Sequence, residues 1–264
     1  MSAHAKTPLE FLYLESGAIP IRFLISSRRM IYLQHILKRK EGELVKKVYE
    51  AQAENPTKGD FVELLKDDFD KIQETQDNNA IVSTSAESYK KYIKTKIRSA
   101  ALRFLTEKKE KHSKIKSIQY NKLETQGYLT SPLFTNSEVQ LLFSLRSRMA
   151  DCKENFKNKY KESDLLCPFC SKETDSQPHM MECTFLASQL KSKNISSRKI
   201  VYEDIFDDIK KQKEATEMFK DLIGLRDKFK EEHQFSQLDP CTSAEVLRNS
   251  DDLLSCIDNY SSGK

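Results

Sequence analysis

Apolar positions recur at three- and four-residue spacing along most of this chain, and the runs they form open with helix-capping signatures. Thr7-Pro8-Leu9-Glu10 reads as a capping box with proline at the first helical position, and Gly17 supplies the stop. Pro20 opens a long run, IPIRFLISSRRMIYLQHILKRK. In it Ile21, Leu24, Ile25, Arg28 and Ile31 share one side, and Arg22, Ser26 and Arg29 another. Asp60-Phe61-Val62-Glu63 and Thr84-Ser85-Ala86-Glu87 repeat the capping pattern. After Ser85, the residues Tyr89, Ile93, Ile97, Ala100, Ala101, Phe104 and Leu105 fall on one helical face. Thr135-Asn136-Ser137-Glu138 caps a further helix through LLFSLRSRMADC, with Val139, Leu142, Phe143 and Met149 inward. Later, YEDIFDDIKKQKEATEMFKDLIGLRDKF predicts one short and one long helix, the latter striped by Met218, Leu222, Leu225 and Phe229.

The pattern predicts a mostly α protein: a multi-helix array, a small metal knuckle and a disordered C-terminal tail. Only 6 glycines and 7 prolines occur, too few for a turn-rich β fold. With 264 residues, 38% of them hydrophobic, the chain can bury one sizeable core or two small ones. Polar stretches suggest five divisions: helices over 1–72, a basic helical segment over 84–160, the knuckle over 161–192, C-terminal helices over 200–233, and a serine- and aspartate-rich tail over 234–264. No apolar run approaches membrane-spanning length, and the N-terminus lacks a signal-peptide core. An intracellular protein, nuclear or cytoplasmic and without a membrane partner, is expected.

The knuckle is CPFCSKETDSQPHMMEC. Cys167 and Cys170 have the two-residue gap that lets a tight turn present both sulfurs to one ion. His179 and Cys183 are four apart, so on a helix they project from one side a turn apart, and Pro178 suits that helix's first turn, with Thr174, Asp175 or Ser176 as its cap. The alternative, a redox dithiol, calls for a strand leading into the motif, and neither flank reads as one. Structural zinc held by Cys167, Cys170, His179 and Cys183 is the expectation; four protein ligands leave no position for a reactive water. Cys152 is expected in the core, and Cys241 and Cys256 as free thiols.

Net charge is only +4, but its distribution is uneven. From Lys90 to Lys122 there are 12 basic residues against Glu107 and Glu110, about +10 locally. Such a face is either solvated surface or a phosphate-binding surface; Lys90, Lys91, Lys94, Lys96 and Arg98 are the candidates for the second. Arg28, Arg29, Arg146 and Arg148 sit in apolar helices, where an arginine finds either a carboxylate or a phosphate, and both readings stand. No catalytic constellation is apparent. The five histidines are dispersed, no serine lies in a nucleophile elbow, and Asp67-Asp68, Asp207-Asp208 and Asp251-Asp252 read as solvated helix residues.

Several stretches in order then resemble the C-terminal region of non-LTR (LINE-like) retrotransposon reverse transcriptases. They are KTPLEFLYLESGAIPIRFLISSRRMIYLQHIL, VYEAQAENPTKGDF, LRSRMADCKENFKNKY, CPFC with HMMEC, and YEDIFDDIKKQ through LRDKF, spanning about Lys6 to Phe229. The resemblance implies a thumb-like and connector-like helical part over 1–72 followed by a zinc module whose ligands fall on Cys167, Cys170, His179 and Cys183. The family's Phe/Tyr-x-Asp-Asp motif and its nicking endonuclease lie outside the matching region. What it implies is therefore a non-catalytic piece that positions RNA or DNA through phosphate contacts, with the rest of a polyprotein as a further partner. The alternatives are a helical scaffold for an acidic protein partner and a non-functional gene fragment.

Overall fold

A computed structural model describes residues 7–159, 161–186, 188 and 202–236. It is built of helices: α1 (Leu9–Ser16), α2 (Ile21–Leu37), α3 (Leu44–Glu54), α4 (Phe61–Ile72), α5 (Asn78–Ser83), α6 (Ala86–Lys109), α7 (Asn136–Arg146), α8 (Gln177–Glu182) and α9 (Ile209–Ser236), with short 3-10 turns between the later ones. Among the described residues the only strand-like pairing is an isolated bridge between Leu166 and Thr174.

Local chemistry sets most helix starts. Asp60, Asp77, Ser85, Thr135 and Ser176 each accept a backbone N–H from the first turn of the helix they precede. Thr135 and Glu138 complete a reciprocal capping box. The box expected at Thr7 does not form: α1 begins after Pro8, whose carbonyl takes the N–H groups of Phe11 and Leu12. Gly17 does end α1, at φ +67°, where an added Cβ would lie 2.3 Å from the backbone nitrogen of Thr125.

A first core lies among α1 to α6, with Leu14, Met30, Leu33, Leu65, Ile93, Ile97 and Leu105 fully enclosed. Here α2 and α6 pack along each other, and the inward face of α2 is not the one the apolar spacing suggests. Phe23, Met30, Leu33 and Ile36 point inward together with Ser26, Ser27 and Gln34, while Ile21, Leu24, Ile25 and Tyr32 lie outside. The reason is Asp68, which is buried on α4 rather than solvated as expected. A buried carboxylate needs donors and an opposite charge. Ser26 Oγ donates to it at 2.6 Å and Arg29 Nε at 2.7 Å, so the polar side of α2 turns toward the core. Burial favours the neutral acid, but hydrogen bonds from Arg29, Ser26 and Lys71 hold the Asp68 carboxyl below its usual range.

A second core gathers Phe11, Ile115, Tyr128, Leu142, Phe143 and Leu145 with Cys167, Met180 and Cys183 of the knuckle and Ala215, Phe219 and Leu222 of α9. The inward stripe of α9 is Ala215, Phe219, Leu222 and Arg226; Met218, Leu225 and Phe229 are only half-buried. Cys152 is in the core as expected, but in the loop after α7, which stops at Arg146. Neither core follows the divisions drawn from composition. The first joins 1–72 to α6, and the second joins Phe11 to the knuckle and α9. The expected tail, with Cys241 and Cys256, lies outside the described residues from 237 onward, while α9 itself runs on to Ser236.

The cores meet at one buried ion pair. Glu15, at the end of α1, is 0% exposed and Arg146, at the end of α7, 3%. Arg146 Nε and Nη2 reach the two carboxylate oxygens of Glu15 at 3.0 and 2.8 Å, and Nη1 donates to the Ile205 carbonyl at 2.9 Å. The hydroxyls of Tyr120 and Tyr128 donate to the same carboxylate. Burial, then the charge of Glu15, push both phenols above their ordinary range, so they stay donors. Removing one member leaves an uncompensated charge inside the protein. Glu15→Leu or Arg146→Met alone is therefore expected to cost ~3–5 kcal/mol, and the double variant distinctly less than the sum. Denaturant unfolding of all four proteins checks this, and additive losses would show that the pair does not act as a unit.

Candidate metal centre and basic cleft

The knuckle folds by backbone chemistry. The N–H of Cys167 donates to the Glu173 carbonyl at 2.7 Å, and that of Asp175 to Leu165 at 2.8 Å, closing a short hairpin. Inside it the N–H of Ser171 donates to the Cys167 carbonyl at 2.9 Å, with Ser171 left-handed at φ +52°. This turn aims the N–H groups of Cys170 and Phe169 at the Cys167 sulfur, and those of Lys172 and Glu173 at the Cys170 sulfur. Ser176 then caps α8 by accepting the His179 N–H at 3.2 Å, Pro178 occupies the first turn, and the Cys183 N–H returns to the His179 carbonyl at 2.8 Å.

The four side chains named from the sequence converge. Their ligand atoms all lie within 4.8 Å of one another, with Cys167 Sγ to Cys183 Sγ at 4.0 Å and Cys170 Sγ to His179 Nε2 at 3.3 Å. Metal–sulfur bonds of ~2.3 Å at tetrahedral angles put neighbouring ligands about 3.8 Å apart. The observed pair distances bracket that value, so the residues fit one metal ion. His179 turns Nε2 toward the sulfurs while Nδ1 meets Glu173 Oε2 at 3.1 Å, the outer carboxylate that fixes a ligating imidazole.

Cys167 and Cys170, two of the knuckle's three thiols, are tuned apart. Burial pushes Cys167 up to about 11, whereas donation from the Lys172 N–H, foremost, brings Cys170 down to about 6. Burial also pushes Cys152 up to about 11, which suits an inert core thiol.

The knuckle is seated in the second core. Phe169 stacks on Phe185 at 5.7 Å between ring centroids and tilts against Phe229 of α9 at 4.7 Å. Asp175 accepts the Lys153 N–H at 2.9 Å and pairs with the buried Arg226 of α9. Gln177 Nε2 donates to the Leu145 carbonyl at 2.8 Å, tying the knuckle to α7. Glu173 and the Asp175–Arg226 pair were not read from the sequence. Ligand spacing identifies the inner residues only, and the outer partners are set by the turn and by a helix some fifty residues away.

The nine predicted nucleic-acid contacts divide. Arg146 and Arg29 are corrected: the first is enclosed with Glu15, the second is held by Asp68, and neither presents a free guanidinium. Lys96 pairs with Glu74. Arg148 closes the turn after α7 at φ +53°, and Arg28 is exposed on α2. Lys90, Lys91, Lys94 and Arg98 come together. With Lys122 they line a cleft of about 600 Å³ between α6 and residues 121–124, opposed by Glu87 and Glu124. Its far wall is fixed: Arg98 donates to the Leu123 carbonyl at 2.6 Å, Leu123 enters the first core, and the buried Lys109 Nζ donates to the Ile118 carbonyl at 2.7 Å.

Among the described residues no helix is long and apolar enough to cross a membrane. Comparison with family models, with curated proteins and with solved structures returned no match.

Metal removal is expected to destabilise the second core as well as the knuckle, because Cys167 and Cys183 belong to both. Native mass spectrometry should find one ion per chain, and Cys183→Ala or chelation should cost at least ~2.7 kcal/mol, the linkage at a hundredfold ligand excess. A chain that carries no ion and melts unchanged with chelator refutes the centre. Glu173→Gln should weaken metal binding about tenfold in chelator competition without abolishing it. Protons compete for thiolates, so occupancy should fall as pH is lowered.

Proposed function

We propose that the chain is a zinc-stapled, non-catalytic helical module that holds the phosphate backbone of RNA or DNA, as the region beyond the palm of a non-LTR retrotransposon reverse transcriptase would. The observation that carries the reading is the cleft in which Lys90, Lys91, Lys94, Arg98 and Lys122 face one space. Lys90, Lys94 and Arg98 succeed one another at four-residue intervals on α6, a rise of about 6 Å each. A line of cations at that interval follows a sugar–phosphate chain without reading bases.

Zinc is the ion that three thiolates and one imidazole at tetrahedral spacing suit best. Its role in this reading is to hold α8, the knuckle and α9 together, and through Gln177 and α7 to keep the second core in register with the α6 helix.

A second reading, a scaffold for an acidic protein partner, is favoured by one feature. Ile21, Leu24, Ile25 and Tyr32 form an exposed apolar stripe on α2, beside exposed Arg28, and α2 carries no acidic residue.

Fluorescence anisotropy with labelled RNA and DNA over a salt series decides between them. Replacing Lys90, Lys91, Lys94 and Arg98 by Glu together should flatten the plot of log affinity against log salt by about 0.9 for each phosphate that is no longer neutralised. Lys96→Gln should change the slope little, since Lys96 is already paired. An unchanged slope in the fourfold variant refutes the cleft assignment, and nucleic-acid binding that Leu24→Glu/Ile25→Glu removes instead would move the site to α2.

A further inference from the structure

A second cavity, of about 460 Å³, opens between the C-terminal end of α4, the 74–77 turn, α5 and the first turns of α6. Its wall brings together three aromatic rings, Phe69, Tyr89 and Tyr92, and two carboxylates, Glu74 and Asp77. Neither lysine nor arginine lines it, although the cleft on the neighbouring face of α6 gathers five cations. One helix therefore separates two hollows of opposite electrostatic character.

Two observations mark this cavity as a binding site. Tyr89 is only 4% exposed, and its hydroxyl has no hydrogen-bond partner; a buried hydroxyl left unpaired is costly, and a donor entering the cavity would satisfy it. Asp77 uses Oδ1 to cap α5, accepting the Ala80 N–H at 3.1 Å, which leaves Oδ2 available. Both nearby cations already have partners, Lys96 at the cavity's own Glu74. Lys96 pairs with Glu74 and lies over the Tyr92 ring at 5.5 Å, and Lys38 Nζ is bound to the Thr84 carbonyl at 2.7 Å. Asp77 thus contributes the uncompensated charge.

Ring faces, free carboxylate oxygen and an unpaired hydroxyl, with no cation in the wall, disfavour a phosphate and suit a flat cation rich in N–H donors. We infer that the cavity binds a guanidinium group, free or on an arginine side chain of a partner polypeptide. Phe69, Tyr89 and Tyr92 supply aromatic contact, Tyr92 alone being exposed; Asp77 Oδ2 and the Tyr89 hydroxyl are the acceptors. The site does not depend on the nucleic-acid reading, and its failure would leave that reading untouched.

The test uses the full metal-loaded chain with labelled tyrosine rings, followed by NMR during titration with agmatine and, in a parallel arm, with the peptide acetyl-Gly-Arg-Gly-amide. Saturable shifts at Tyr89 and Tyr92 are expected in at least one arm; tighter peptide binding identifies a polypeptide-borne arginine, and tighter agmatine binding a free guanidine. Asp77→Asn keeps the helix cap, since asparagine caps as well as aspartate, and should weaken binding about fivefold. Tyr89→Phe should weaken it as well; if that variant does not fold, the Asp77→Asn measurement decides. Absence of a saturable shift in both arms, undiminished binding by Asp77→Asn, or equal shifts with adenosine or cytidine would overturn the inference, the last making this a base pocket.

Discussion

The contact between Glu15 and Arg146 constrains everything else in this molecule. It joins positions 131 residues apart, and both charges are fully inside. Burial on its own would weaken the charge of Arg146, and the carboxylate beside it restores it. Neither half can be withdrawn into water without dismantling a core: Glu15 ends the helix whose Leu14 fills the first core, and Arg146 ends the helix whose Leu142 and Leu145 fill the second. The two cores are thereby obliged to form in one relative arrangement. Arg146 makes a third contact, to the Ile205 carbonyl, which places the start of the C-terminal helical pair against the same junction.

The candidate metal centre inherits its position from that junction. Leu145, one residue before the buried arginine, takes the hydrogen bond from Gln177, and Gln177 opens the helix that carries His179. Arg226 then fastens Asp175, two residues before Gln177, to α9. A knuckle with so little regular structure of its own depends on these anchors for its place in the fold. The candidate metal centre in this arrangement is not an appendage on a helical body; its Cys167 and Cys183 side chains are part of the apolar packing.

What could be read from the sequence was local, and what could not was long-range. Helix existence followed from periodicity and caps, and the inward face of α6 (Tyr89, Ile93, Ile97, Ala100, Ala101 and Leu105) was as spaced, with Phe104 of the same set only half-buried. The convergence of Cys167, Cys170, His179 and Cys183 was legible because a tetrahedral site requires a strict spacing of its ligands. The face of α2 was misread because the deciding residue, Asp68, lies on another helix, and a buried acid outweighs the preference of three isoleucine and leucine side chains for the interior. Cys152 shows the same limit more mildly, since its burial was readable and its place beyond the helix end was not.

The basic residues make the point with most consequence for function. A count of charges along Lys90 to Lys122 treats twelve cations alike, yet the fold separates them by what lies within reach. Lys109 is buried and clips two carbonyls of the following loop, and Lys96 has a carboxylate. With Lys109 and Arg98 holding the wall at residues 121–124, Lys90, Lys91, Lys94 and Lys122 remain exposed around one hollow. Structural cations thus create the geometry in which the others are concentrated. A cleft assembled in this way raises local positive potential more than the net charge of +4 suggests. It does so on a wall that Leu123 and Lys109 hold still, so a bound polyanion would meet cations already in place.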